Sequence, residues 1–149
     1  MVSTNNLKKL SFLIYGLGLT GKSVISFFKK NKIKKYQVWD DKNKLLYKKK
    51  RPQNLNKAFK EVDCIVLSPG VSLKKSKYKK KLIQNKNKII TDIDLFYISN
   101  PGIKSIVVTG TNGKSTTCKI IEHLLKKNRF KIQLGGNIGK PILNIRKCK

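Results

Sequence analysis

Residues 107–117 read VVTGTNGKSTT. β-branched residues run into a loop with two glycines, and Lys114 is followed by the hydroxyl residues Ser115, Thr116 and Thr117. This arrangement suits a phosphate. Several backbone N–H groups must converge on the anion from a tight turn, and glycine lets the backbone approach that closely. Lys114 supplies a cation able to reach β- and γ-phosphate oxygens, Ser115 a hydroxyl for Mg²⁺, and Thr116 follows at a helix start. The full G-x-x-x-x-G-K-[ST] pattern needs a glycine at position 108, where the chain has Val108. The match is therefore Gly113-Lys114-Ser115 with Gly110 three residues upstream. A glycine turn with a surface lysine is the competing reading. The apolar run before the loop and the apolar helical pattern after it favour the phosphate.

A second glycine loop lies near the start. Gly16-Leu17-Gly18-Leu19-Thr20-Gly21 is a complete G-x-G-x-x-G, and Asp40 stands 19 residues beyond Gly21. Alone, this is a dinucleotide-binding fingerprint, with glycines for the turn and the close approach and a carboxylate for a ribose. Its geometry serves any nucleotide diphosphate, and a purely structural turn stays open as well. Ser68-Pro69-Gly70 closes a third apolar run, CIVL, where the carboxyl ends of a doubly wound sheet border a ligand crevice.

These loops need elements to hold them. Apolar runs at 11–15, 36–39, 64–68, 88–91, 105–109 and 131–134 predict buried strands. Val24, Ile25, Phe27 and Phe28 make one helical face, and Cys118, Ile121 and Leu125 make another. Strand and helix alternating in this rhythm predict an α/β fold of βαβ units around a mostly parallel sheet. The Asn-Pro-Gly turn at 100–102 marks a domain boundary, dividing the chain into 1–99 and 100–149. The lysine-laden stretches at 43–56 and 74–88 read as solvated connections or helix faces.

The net charge is +28, with 32 lysines and only three arginines among the basic residues. Readers of base edges and bidentate phosphate contacts rely on arginine, and here lysine is spread over nearly every segment. The composition points to a general polyanion attraction that fades with salt, not to a specific nucleic-acid site. Three cysteines, Cys64, Cys118 and Cys148, fall in no metal-ligand spacing and predict unpaired thiols in a reducing compartment. Cys64 and Cys118 lie within apolar patterns and are expected to pack inside; His123 is expected at the surface. No apolar stretch is long enough to span a bilayer, and the N-terminus lacks a secretory h-region, which together predict a cytoplasmic protein.

The blocks GLGLTGKS (16–23), WDDK (39–42), LSPGVSL (67–73), TDIDLF (91–96), VTGTNGKSTT (108–117) and GGNIGKP (135–141), in this order, resemble the Mur ligase family, and within it the D-glutamate-adding branch. The resemblance spans nearly the whole chain. It implies a Rossmann-like parallel-sheet domain over 1–99, then the incomplete start, a first βαβ portion, of a P-loop-type ATP-binding domain over 100–149, with the first loop holding the UDP part of UDP-N-acetylmuramoyl-L-alanine and carrying no NAD. By position, Gly18, Leu19, Thr20, Asp40, Asp41, Ser68, Pro69 and Gly70 are implied to line that site, with Asn137 reaching the muramoyl portion. Where the family carries Thr or Ser and then Arg after the aspartate, this chain has Asp41 and Lys42. Gly110, Thr111, Asn112, Gly113, Lys114, Ser115 and Thr116 are implied to cradle ATP. Lys114 is the implied catalytic residue and Ser115 the implied Mg²⁺ ligand.

The reaction implied has two steps: an L-alanyl carboxylate attacks the γ-phosphate of ATP, and the amine of D-glutamate then displaces phosphate from the acyl phosphate. Only 33 residues follow Thr116. The family's further magnesium-binding acid, carbamylated lysine and C-terminal domain are not found here, so the expectation is a monomeric N-terminal fragment, inactive alone and poorly stable. Two rival readings remain: a non-catalytic module for a nucleotide diphosphate (a UDP-sugar or NAD), and an NAD-dependent oxidoreductase domain built on Gly16, Gly18, Gly21 and Asp40.

Overall fold

The computed structural model describes residues 4–43, 47–72, 76–136 and 139–145. Four short apolar runs form strands: β1 (Phe12–Tyr15), β2 (Tyr36–Trp39), β3 (Cys64–Leu67) and β4 (Ile89–Ile90). All pair in parallel, in the order β2-β1-β3-β4. Central β1 is buried along its whole length, as a parallel strand covered on both faces must be. Its side chains alternate between two cores. Phe12 and Ile14 pack with Val24, Phe28 and Leu95, whereas Leu13 and Tyr15 pack with Leu55, Phe59 and Leu82.

The helices that supply those partners are α1 (Thr4–Leu7), α2 (Leu19–Lys30), α3 (Leu55–Glu61), α4 (Lys79–Gln84), α5 (Asp92–Ser99) and α6 (Lys114–Lys127). In α2, Val24, Ile25, Phe27 and Phe28 are buried, the face its apolar spacing predicts. The lysine-rich stretches, read as connections or helix faces, do hold helices: α3 begins in the first and α4 lies wholly in the second. Helix α3 is started by Asn54, whose side chain accepts from the Lys57 amide, and it buries Leu55, Ala58 and Phe59. Lys88 closes its far end, donating to the carbonyls of Lys60 (2.8 Å) and Val62 (2.9 Å). Helix α5 opens on a reciprocal capping box between Thr91 and Asp94.

The chain from residue 100 onward departs from expectation. The runs 105–109 and 131–134 are not strands, because among the described residues neither finds a neighbouring strand to complete its hydrogen-bond ladder. Only an isolated bridge joins Gly135 to Lys140. Helix α6 forms but buries no residue, and Ile106, Val107, Ile120, Leu124 and Phe130 are each more than half exposed. The second βαβ portion is thus present as a loop and a helix without a sheet beneath it. One later segment does dock: the turn Ile142–Asn144 packs on α2 and α5, with Leu143 against the core of the first sheet face.

Cys64 and Cys118 are half-buried free thiols, less enclosed than expected, and His123 is exposed as expected. Cys148 and Asn137 lie outside the described residues. No helix among the described residues is long and apolar enough to cross a membrane.

Candidate nucleotide site

The strand order has its switch point between β1 and β3, since the chain leaves β1 for one edge of the sheet and returns past it to the other. Ligands of open parallel sheets bind beyond the carboxyl ends of the strands at such a point. Two predicted segments meet there. Gly16, directly after β1, takes φ 98°, a left-handed conformation that glycine adopts without strain. Ser68, directly after β3, is buried, and its hydroxyl donates to the Gly16 carbonyl at 2.9 Å. The Ser68 amide also donates to the Tyr15 carbonyl at 3.0 Å. The third glycine serves close packing, since a Cβ on Gly21 would lie 1.9 Å from the Gly16 carbonyl oxygen. Helix α2 can therefore start against the turn only with glycine at this position.

This packing leaves the mouth of the loop open. Gly18 has empty space where a side chain would project, Leu19 is 80% exposed, and no side chain caps the N-terminus of α2. An uncapped helix N-terminus behind a glycine turn presents free amides and a partial positive charge to an anion. Pro69 and Gly70 are exposed on the β3 side of the same crevice.

The two aspartates at the end of β2 do different things. Asp40 accepts the Leu17 amide on Oδ2 (2.6 Å) and the Lys42 and Asn43 amides on Oδ1 (2.9 and 2.8 Å). A carboxylate has about four acceptor positions, so one remains for a ligand. Asp41 accepts the Tyr15 hydroxyl on Oδ2 (2.6 Å) and the Trp39 indole N–H on Oδ1 (3.0 Å). Partial burial pushes the Asp40 carboxyl up, but its three amide donors and nearby Arg51 outweigh this and hold it below the usual carboxylate range. The Ser11 amide and hydroxyl do the same for Asp63. Burial raises Asp92.

A carboxyl depressed in the folded state contributes stability above its unfolded pKa, about 3.9, and that contribution is lost as pH falls through the folded value. Asp92 acts in the opposite sense, its contribution being lost as pH rises through its raised folded value. Asp40→Asn is expected to lower Tm at pH 7 and to flatten the fall in Tm below about pH 4. Thermal unfolding followed at several pH values checks this; an unchanged pH profile would contradict the role given to Asp40.

The second loop carries the expected backbone features without a sheet behind it. Gly110 has φ 139° and Gly113 φ 74°, and Gly113 opens α6 with no side-chain cap. The Lys114 ammonium donates to the carbonyls of Gly110 and of Thr111, the latter at 2.9 Å. It folds back over its own loop. Thr111, Asn112, Ser115 and Thr116 are exposed around it. Residues that motif reading passed over are Tyr15, Trp39 and Ser76. A tyrosine ending a buried strand and a tryptophan before two aspartates were the available signals.

Fold and first loop together define a Rossmann-like parallel α/β domain with an open glycine loop at the sheet's switch point. Within that class the chain belongs to the Mur ligase MurD-like N-terminal domain family, whose model matches residues 10–91. It is 36% identical over 151 residues to a UDP-N-acetylmuramoylalanine--D-glutamate ligase of Wolbachia pipientis wMel, covering 95% of this chain and 29% of the relative. Relatives with the same name from Buchnera aphidicola subsp. Schizaphis graminum and Rickettsia prowazekii are 38% and 39% identical, covering 89% and 93% of this chain. The chain spans 31% and 32% of those two relatives.

Proposed function

We propose that residues 4–99 bind the uridine-diphosphate part of UDP-N-acetylmuramoyl-L-alanine, and that the chain is the N-terminal part of the ATP-dependent ligase that adds D-glutamate to it. The observation that carries this reading is the open α2 N-terminus behind a glycine turn at the switch point, in a chain of this family. The diphosphate lies against the amides around Gly18, Leu19 and Thr20. Ser68, Pro69 and Gly70 form one wall, and Asp40 the other.

In the second part, Gly110 through Thr116 receive ATP. Lys114 exchanges the loop carbonyls for phosphate oxygens and stabilises charge on the group being transferred. The exposed Ser115 hydroxyl is the group that would hold a magnesium ion, which when bound neutralises phosphate charge. The chain's own contribution is positioning and electrostatics, with the two nucleotides held in separate loops.

Calorimetry of the chain with UDP and with UDP-N-acetylmuramoyl-L-alanine tests the first site, and a fluorescence titration with NADH tests its rival. Binding of both uridine ligands is expected, with none for NADH. Tight NADH binding without uridine-nucleotide binding would replace this reading with the oxidoreductase one.

A further inference from the structure

Asp40 and Asp41 are adjacent, yet their carboxylates are held by opposite parts of the sheet. Asp40 is tied to the glycine loop through the Leu17 amide. Asp41 is tied to the aromatic cluster on the α3/α4 face. Tyr15, 1% exposed on β1, gives its only proton to Asp41, so Ser76, 3.0 Å from the phenol oxygen, must be the donor to it. The Tyr78 amide donates to Ser76 in turn, at 3.1 Å. Trp39 is fixed by the Arg51 guanidinium 3.7 Å above its ring and by Tyr78 edge-on at 5.9 Å. Burial, with Asp41 adding to it, keeps the Tyr15 phenol protonated far above neutral pH.

We propose that Asp41 is a positioning residue: with Tyr15, Trp39 and Ser76 it braces the chain as it leaves β2, so that the neighbouring Asp40 holds the glycine loop and presents its remaining acceptor position to the nucleotide. This rests on the reading of the crevice as a uridine-nucleotide site. It accounts for a carboxylate where the resembled family has Thr or Ser, because here the phenol and the indole each take a separate oxygen of the side chain. Asp41 then affects the ligand through Asp40 and makes no contact with the base.

A double-mutant cycle on the purified chain tests this, with UDP and CDP affinities measured by calorimetry for wild type, Tyr15→Phe, Asp41→Ala and the double variant. Each single change is expected to weaken UDP about fivefold, with the double variant no weaker than Asp41→Ala. The ratio of UDP to CDP affinity should stay at the wild-type value throughout, since a brace does not read the base. If Asp41 contacts the base instead, Tyr15→Phe will bind like wild type and Asp41→Ala will change that ratio; either result overturns the proposal. Should Asp41→Ala fail to fold, the same cycle with Asp41→Asn, which keeps an oxygen for Trp39, decides the matter by the same criteria. Wild type that binds no UDP overturns the functional reading and the brace with it, whereas wild type that binds while the two changes act additively overturns the brace alone.

Discussion

Replacing Lys114 with alanine is expected to abolish ATP-driven ligation in the whole enzyme, by about three orders of magnitude in turnover, while leaving the fold intact. Charge builds on the transferred phosphoryl group, and a fixed ammonium inside the loop is worth far more there than in water. The side chain's hydrogen bonds in this structure go only to the carbonyls of Gly110 and Thr111, both in its own exposed loop. Its removal therefore leaves no buried group unpaired, and Tm should move little. Turnover of the variant under saturating ATP, set beside its Tm, makes the check. Near-normal turnover would remove the nucleotide role from this loop.

The largest effect on stability is expected from Gly21→Ala. In an exposed helix this change gains about 1 kcal/mol through better helix propensity. Here the new methyl group would sit 1.9 Å from the Gly16 carbonyl oxygen and 2.9 Å from its carbon. Either α2 retreats from the turn or Gly16 moves, and Gly16 is held by the Ser68 hydroxyl and by its own amide's 2.8 Å bond to the Trp39 carbonyl. Overpacking of this kind costs about 3 kcal/mol or more, which outweighs the propensity gain and is a large share of the about 5–15 kcal/mol that holds a domain folded. Gly18→Ser is the control, since Gly18 has open space and a serine suits a helix N-cap. Urea unfolding of both variants separates the two effects: a Gly21→Ala protein as stable as wild type would mean that the turn and helix do not meet this closely.

What was readable in advance was whatever depends on a few neighbouring residues. The runs at 11–15, 36–39 and 64–68 are alternating or continuous apolar segments bounded by turn residues, and strands form within each of them, over Phe12–Tyr15, Tyr36–Trp39 and Cys64–Leu67. The face of α2 follows from the spacing of Val24, Ile25, Phe27 and Phe28. Helix α3 was legible too, in Asn54 followed by Leu55, Ala58 and Phe59, but the surrounding lysines drown that signal in a count of charges. The run at 105–109 shows the limit from the other side. Its residues favour a strand, yet a strand is completed by a partner, and none lies beside it here.

Glycine spacing, strand endings and the order of the motif blocks are properties of the chain taken in sequence, and from them the fold class, the two glycine loops and the family resemblance all follow. Tertiary structure alone decided which of these pieces meet. Ser68 reaches Gly16 across 52 positions, and Tyr15 reaches Asp41 and Ser76 across 26 and 61. Such contacts are made by sheet order, which places β1 between β2 and β3 and so brings the ends of three strands to one crevice. Hydrogen bonding at that distance depends on where the backbone is carried, and local propensity does not encode it.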